Sequence, residues 1–207
     1  MNDAIPLFPL QTVLFPGGRL NLKVFEARYL DMVGNCLRQA CPFGVVCLTA
    51  GGEVHRKEKA AEGGRVRFED TGVLARIDEV DADQAGILHI RCSGLQRFSL
   101  GERSQQADGL WLADVSPLPD DERLPPPDDL QASVKSLREA IDAMRRQGAE
   151  PFIPPYRFDE AGWVANRWCE ILPVSLAAKQ RLMVLDDPLA RLRLVDEFLR
   201  NQGVVDG

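Results

Sequence analysis

Hydrophobic and polar positions follow a period of two through roughly the first half of the chain and a period near 3.6 through the rest, with the change inside a proline-rich stretch. The opening segment Ile5 to Leu22, IPLFPLQTVLFPGGRLNL, is apolar and interrupted by Pro6, Pro9 and Pro16. Each proline removes a backbone donor and biases the preceding residue toward extended geometry, which excludes a helix. Two strands joined by a turn are predicted. Phe15-Pro16-Gly17-Gly18 supplies the turn, because proline presets φ and glycine accepts the positive φ that a type II turn requires next. Phe25 to Gln39 then reads as an amphipathic helix, with Tyr29, Met32, Val33, Cys36 and Leu37 on one stripe, and Pro42 ends it.

Strand candidates follow at Phe43 to Leu48, Arg65 to Phe68, Val73 to Val80, Ile87 to Cys92, Leu95 to Leu100 and Trp111 to Val115. Asp81-Ala82-Asp83 with Gly86, and Ser93-Gly94, supply turn chemistry at hairpin spacing. Many short strands at this spacing predict a small barrel or sandwich rather than a parallel sheet. The glycine-edged segment 51 to 64 reads as a loop, and its basic run Arg56-Lys57-Glu58-Lys59 as a solvated surface.

Prolines 117, 119, 125, 126 and 127 alternate with acidic residues to make an extended linker, placing a boundary at residue 118. Beyond it, four helices are predicted. Leu130, Val134, Leu137, Ile141 and Met144 stripe the first, with Lys135–Glu139 and Arg138–Asp142 as i,i+4 ion pairs and Gly148 as its stop. Asp159 caps a second carrying Val164, Trp168, Ile171 and Leu172; Ser175 caps a third with Ala178, Leu182 and Leu185 on one face; Asp187-Pro188 opens a fourth with Leu192, Val195 and Leu199 inward. The expected fold class is α+β: residues 1–118 a β-barrel with one helix, residues 119–207 a linker and a four-helix bundle.

The run PLFPL, then VLFPGG, then LNL, before a helix opening Phe25-Glu26-Ala27-Arg28, resembles the N-terminal substrate-binding domain of the Lon protease family. Gly72-Val73 leading to Gly94-Leu95-Gln96-Arg97 extends the likeness through the strands. Ile171-Leu172-Pro173, Lys179-Gln180, Leu185-Asp186-Asp187 and Arg191-Leu192 extend it through the last helices. The resemblance implies a PUA-like barrel followed by a helical bundle, acting without chemistry of its own as a stand-alone module that recognises protein segments, in adaptor or chaperone-like form. PUA-like barrels also occur in RNA-binding proteins, which makes an RNA-binding or RNA-modification accessory role the alternative.

Charge bears on that alternative. Residues 1–118 carry 13 basic and 15 acidic side chains and residues 119–207 carry 12 and 16, for a net charge of −6, so neither half has the basic excess of a phosphate-backbone binder. No G-x-x-x-x-G-K-[ST] loop is present to cradle nucleotide phosphates, and no catalytic residues or cofactor are expected. Five cysteines with no C-x-x-C pair predict reduced, buried thiols, and His55 and His89 lack partners at metal-ligand spacing. Carboxylate clusters at 120–122, 128–129 and 186–187 are explained by solvation and helix dipoles. With no membrane-length apolar run and no signal peptide, the expected location is the cytoplasm.

The aromatic residues remain. Trp163 falls off the inward stripe of its helix, and Phe152, Tyr156 and Phe158 crowd the proline-rich connection before it. One reading makes them core, stapling bundle to barrel. The other, which the resemblance implies, makes Phe152, Tyr156 and Trp163 anchors for apolar polypeptide segments.

Overall fold

The structure is a computed structural model that describes residues 4–50 and 66–205. The predicted loop at 51 to 64, with its basic run and His55, lies outside the described residues. Two compact units make up the chain, Met1–Leu118 and Pro119–Gly207.

In the first unit, the described residues form β1 (Ile5–Leu10), β2 (Arg19–Val24), β3 (Phe43–Ala50), β4 (Arg67–Gln84), β5 (Ile87–Gln105) and β6 (Trp111–Pro117), with one α-helix, α1 (Ala27–Gln39), between β2 and β3. β1 pairs with β3 in parallel and with β6 antiparallel, while β3–β4, β4–β5 and β5–β6 are antiparallel ladders. The ladders therefore run β1–β3–β4–β5–β6 and back to β1, a hydrogen-bonded ring compatible with the expected barrel. Among the described residues, β2 joins it only through β5. Leu7, Val46, Leu48, Phe68, Phe98 and Ala113 pack as a buried cluster in this sheet.

Several expectations are corrected here. β1 and β2 do not form a hairpin, because the backbone donors and acceptors of β1 are taken by β3 and β6. The turn between them does form: the Gly18 N–H donates to the Phe15 carbonyl at 2.9 Å and Gly17 has φ 70°. It docks on β5 instead, with Gly17 N–H to Gly94 C=O and Gly94 N–H to Gly18 C=O both 2.8 Å. A Cβ at Gly94 would overlap the Phe15 carbonyl oxygen, so the Ser93-Gly94 step is a point of close approach and not a chain reversal. Short candidate strands accordingly fuse into β4 and β5, with register shifts opposite Gly94 and elsewhere along this pair, and the real reversal is the two-residue turn at Ala85-Gly86, where Gly86 has φ 77°. One pair in the sheet, β1–β3, is parallel. α1 starts at Ala27, and Leu37 is 47% exposed, off the buried stripe of Tyr29, Met32, Val33 and Cys36.

The second unit contains α2 (Gln131–Arg146), α3 (Ala161–Ile171), α4 (Leu176–Val184) and α5 (Pro188–Asn201), after a 3-10 turn at Asp128–Leu130. Leu130, Val134, Leu137 and Ile141 are buried, and Met144 half-buried. Gly148, at φ 81°, ends α2. Ser175 Oγ accepts from the Ala178 N–H at 3.2 Å, and Asp187 Oδ1 accepts from the Leu189 and Ala190 N–H groups at 2.9 and 3.1 Å, so both predicted caps form. Asp159 does not cap α3. The N-cap is Glu160, without a side-chain bond. α4 buries Gln180 and Met183, while the predicted Ala178, Leu182 and Leu185 are half-buried.

The acidic linker is more than a solvated tether. Asp121 pairs with the buried Arg191 at 2.6 and 3.0 Å through both guanidinium branches, and Arg191 also donates to Asn166 Oδ1 at 3.0 Å and to the Leu182 and Leu185 carbonyls. Gly162 makes room for it, since a Cβ there would sit 2.5 Å from Asp121 Oδ2. The Ala161 N–H donates to the Leu124 carbonyl at 2.8 Å.

Candidate functional site

Within the second unit, residues 151–158 fold back over the start of α3 because prolines at 151, 154 and 155 prevent the chain from continuing as helix. This brings three rings around Trp163. Its indole lies 6.3 Å from Phe152, 5.8 Å from Tyr156 and 5.1 Å from Phe158, the first and last edge-on, and Tyr156 meets Phe158 edge-on at 6.0 Å. Phe152 is 1% exposed and underpins the group, while Tyr156, Phe158 and Trp163 are half-buried and present part of their surface. An anchor role therefore fits Tyr156 and Trp163 better than Phe152, which an incoming ligand cannot touch without displacing its neighbours.

Arginines frame the rings. The Arg138 guanidinium stacks 3.7 Å above Phe158 and Arg145 lies 5.9 Å from Tyr156, while Arg167 sits 5.5 and 5.8 Å from Phe152 and Trp163. The i,i+4 pair expected between Arg138 and Asp142 is absent, because Arg138 turns toward the ring. Lys135–Glu139 does approach, at 3.9 Å. The Arg167 side chain is fully buried, pairs with Glu170 at 2.7 Å, and has its pKa lowered by that burial. Burial also pushes the Glu170 carboxyl up to about 7, against the opposing pull of Arg167 and Lys179. This pair anchors α3 behind the rings.

Beside Phe158 opens a cleft of about 480 Å³. Pro125, Pro126, Val134 and Phe158 give it an apolar lining, and Lys135, Arg138 and Asp159 stand around it with Gln131. Apolar walls with a few convergent polar groups are the usual composition of a binding cleft. Phe158 and Arg138 belong to both the ring cluster and the cleft. Sequence patterning misses Arg138, because a helix-surface arginine beside an acid four residues on reads as an ion pair.

Elsewhere the candidate chemistry is dispersed. His89 is exposed on β5, four of the five cysteines are buried, and among the described residues no three His, Cys, Asp or Glu side chains could hold a metal ion. No helix among the described residues is long and apolar enough to cross a membrane.

The model of a family described as the ATP-dependent protease La (LON) substrate-binding domain matches residues 4–201. Among solved structures, the chain is similar to a Lon N-terminal domain protein from Xanthomonas campestris, with 28% identity, a TM-score of 0.72, and coverage of 94% of this chain and 98% of that one. It shares a fold with the N-terminal domain of the Mycobacterium avium complex Lon protease, at 16% identity and a TM-score of 0.60, covering 95% and 97% of the two chains. A search of curated proteins finds no match.

Proposed function

Because the chain belongs to the Lon substrate-binding domain family, we propose that it works by recognising polypeptide, in adaptor or chaperone-like fashion, and that the rings around Trp163 and the adjoining cleft are where it does so. The observation that supports this reading is the shared edge of the two features: half-buried aromatic surface at Tyr156, Phe158 and Trp163 runs into an apolar-lined cleft. A flexible segment could lay an apolar side chain against the rings and a second into the cleft, with its backbone or an acidic neighbour meeting Lys135 or Arg138. Affinity for unfolded segments is expected to be weak, since ordering the ligand offsets much of the contact energy. Phe152 acts from beneath, by holding Trp163 in place.

The test titrates an unfolded polypeptide and an RNA against the wild type, Trp163→Ala and Tyr156→Ala, each at two salt concentrations. Loss of roughly 2 kcal/mol or more of polypeptide affinity in the variants, with little dependence on salt, is the expected result. Melting temperatures run alongside, because a ring that is only structural lowers stability by about 3 to 5 kcal/mol while leaving the affinity of the remaining folded protein intact. RNA binding that falls steeply with salt, with no polypeptide binding, would overturn the proposal.

A further inference from the structure

The C-terminal end of α1 brings two cysteines together. Ala40 adopts the left-handed conformation, at φ 50° and ψ 39°, although it is not glycine. The Ala40 N–H then donates to the Leu37 carbonyl at 3.4 Å, and the Cys41 N–H reaches back to the Cys36 carbonyl at 3.1 Å. This paired arrangement is the Schellman helix end, and its known corollary is side-chain contact between the two residues joined by the longer bond. Here those residues are both cysteines. Their backbones meet in that 3.1 Å bond, and they are not neighbours in a strand or opposed across a sheet, where geometry often forbids the bridge.

The two thiols differ in access. Cys41 is half-buried and reachable from solvent, while Cys36 is 2% exposed beneath it. Burial, then the neighbouring Cys41 sulfur through its charge and a side-chain hydrogen bond, pushes the Cys36 thiol up to about 12, so on its own it is inert. Cys92 and Cys47 are buried in β5 and β3.

We propose that Cys36 and Cys41 form an oxidisable dithiol, closed to an intramolecular disulfide by peroxide through initial attack at Cys41. In the first step the Cys41 sulfur attacks a peroxide oxygen; the S–O bond forms, the O–O bond breaks, and hydroxide leaves as water with the thiol proton. In the second, the Cys36 sulfur attacks the Cys41 sulfur; the S–S bond forms, the S–O bond breaks, and the oxygen leaves as water with the Cys36 proton. Two thiols thus lose two hydrogens and hydrogen peroxide becomes two waters. Since the resolving thiol is held protonated, the second step is the slow one, and the Cys41 sulfenic acid persists long enough to be trapped. The closed bridge ties the end of α1 to the segment entering β3.

Arg38 lies between the two cysteines, so trypsin separates them unless they are cross-linked. The reduced full chain is treated with hydrogen peroxide, with and without dimedone, and followed by intact mass and tryptic mapping for the wild type and Cys41→Ser. Expected for the wild type are loss of the mass of two hydrogens, a linked peptide pair containing Cys36 and Cys41, and, with dimedone, an adduct on Cys41. Cys41→Ser, at a half-exposed position, should give neither cross-link nor adduct at Cys36. The wild-type map decides the matter without any core variant. Recovery of both thiols unmodified, a link from Cys36 to Cys92, a Cys41–Cys41 dimer, or an adduct on Cys36 would each overturn the proposal.

Discussion

At residue 121 a carboxylate in a proline-rich linker meets a guanidinium seventy positions away, and the pair decides how the second unit begins. Arg191 is 1% exposed, and its donors are all engaged by Asp121, Asn166 and the carbonyls that close α4. A buried guanidinium tolerates this only while every partner stays, since removing one leaves a charge uncompensated in a poorly solvated place. Asp121→Asn is therefore expected to destabilise the protein by about 3 kcal/mol in denaturant titration. Gly162→Ala, which changes no charge, should do comparable damage by pushing the Asp121 carboxylate off its partner. If Gly162→Ala unfolds at the wild-type midpoint, the close approach at 162 carries no weight. None of this is legible in the linker's own sequence, where an aspartate among prolines reads as solvated. That reading rests on local pattern, and the partner is set by tertiary packing. The ring cluster is half legible for the same reason: its members at 152, 156, 158 and 163 are neighbours in sequence, whereas Arg138 comes from another helix.

Helix ends divide sharply between those written in a local code and those made by packing. Ser175 and Asp187 are read correctly as caps because the cap bond spans only two or three residues, and Pro188 fits the first turn, where its missing N–H costs nothing. Asp159 looks equally good by composition, yet α3 starts one residue later with Glu160 at its N-cap and Ala161 held by the Leu124 carbonyl. Ser175→Ala and Asp187→Ala should each cost ~1 kcal/mol, and Asp159→Ala no more than a few tenths. Equal losses at all three positions would show that the assignment of caps is wrong. Strands follow the same division. Alternation marks where β-structure lies, but it carries no record of which strand lies beside which, so the parallel β1–β3 pair and the docking of the Pro16-Gly17 turn on Gly94 emerge only from the assembled sheet. Dipeptides such as Ser93-Gly94 mislead because glycine serves a tight approach as well as it serves a turn.

For the molecule as a whole, the change of period from two to 3.6 and the proline-rich interval between them carry the α+β organisation, and the family match spans both parts at residues 4–201. The two compact units, Met1–Leu118 and Pro119–Gly207, each have internal contacts of their own. On the strand side, the linker leaves β6 with the Leu118 N–H donating to the Arg97 carbonyl at 2.9 Å and Gln96 Nε2 donating to the Leu118 carbonyl at 2.9 Å, so residue 118 still belongs to the sheet. Three residues later Asp121 already belongs to the helices. A helical fragment starting at Pro119 keeps the Asp121–Arg191 pair and the Leu124–Ala161 bond, and is expected to unfold cooperatively in isolation. One starting at Pro125 loses both while keeping every helix, so its melting temperature should lie roughly 12 °C or more lower, the shift that a loss of about 3 kcal/mol produces in a domain of this size. Circular dichroism melts of the two fragments separate the possibilities. A longer fragment that does not fold would place the boundary elsewhere, and two fragments of equal stability would mean that the linker's acids tether the helices without supporting them.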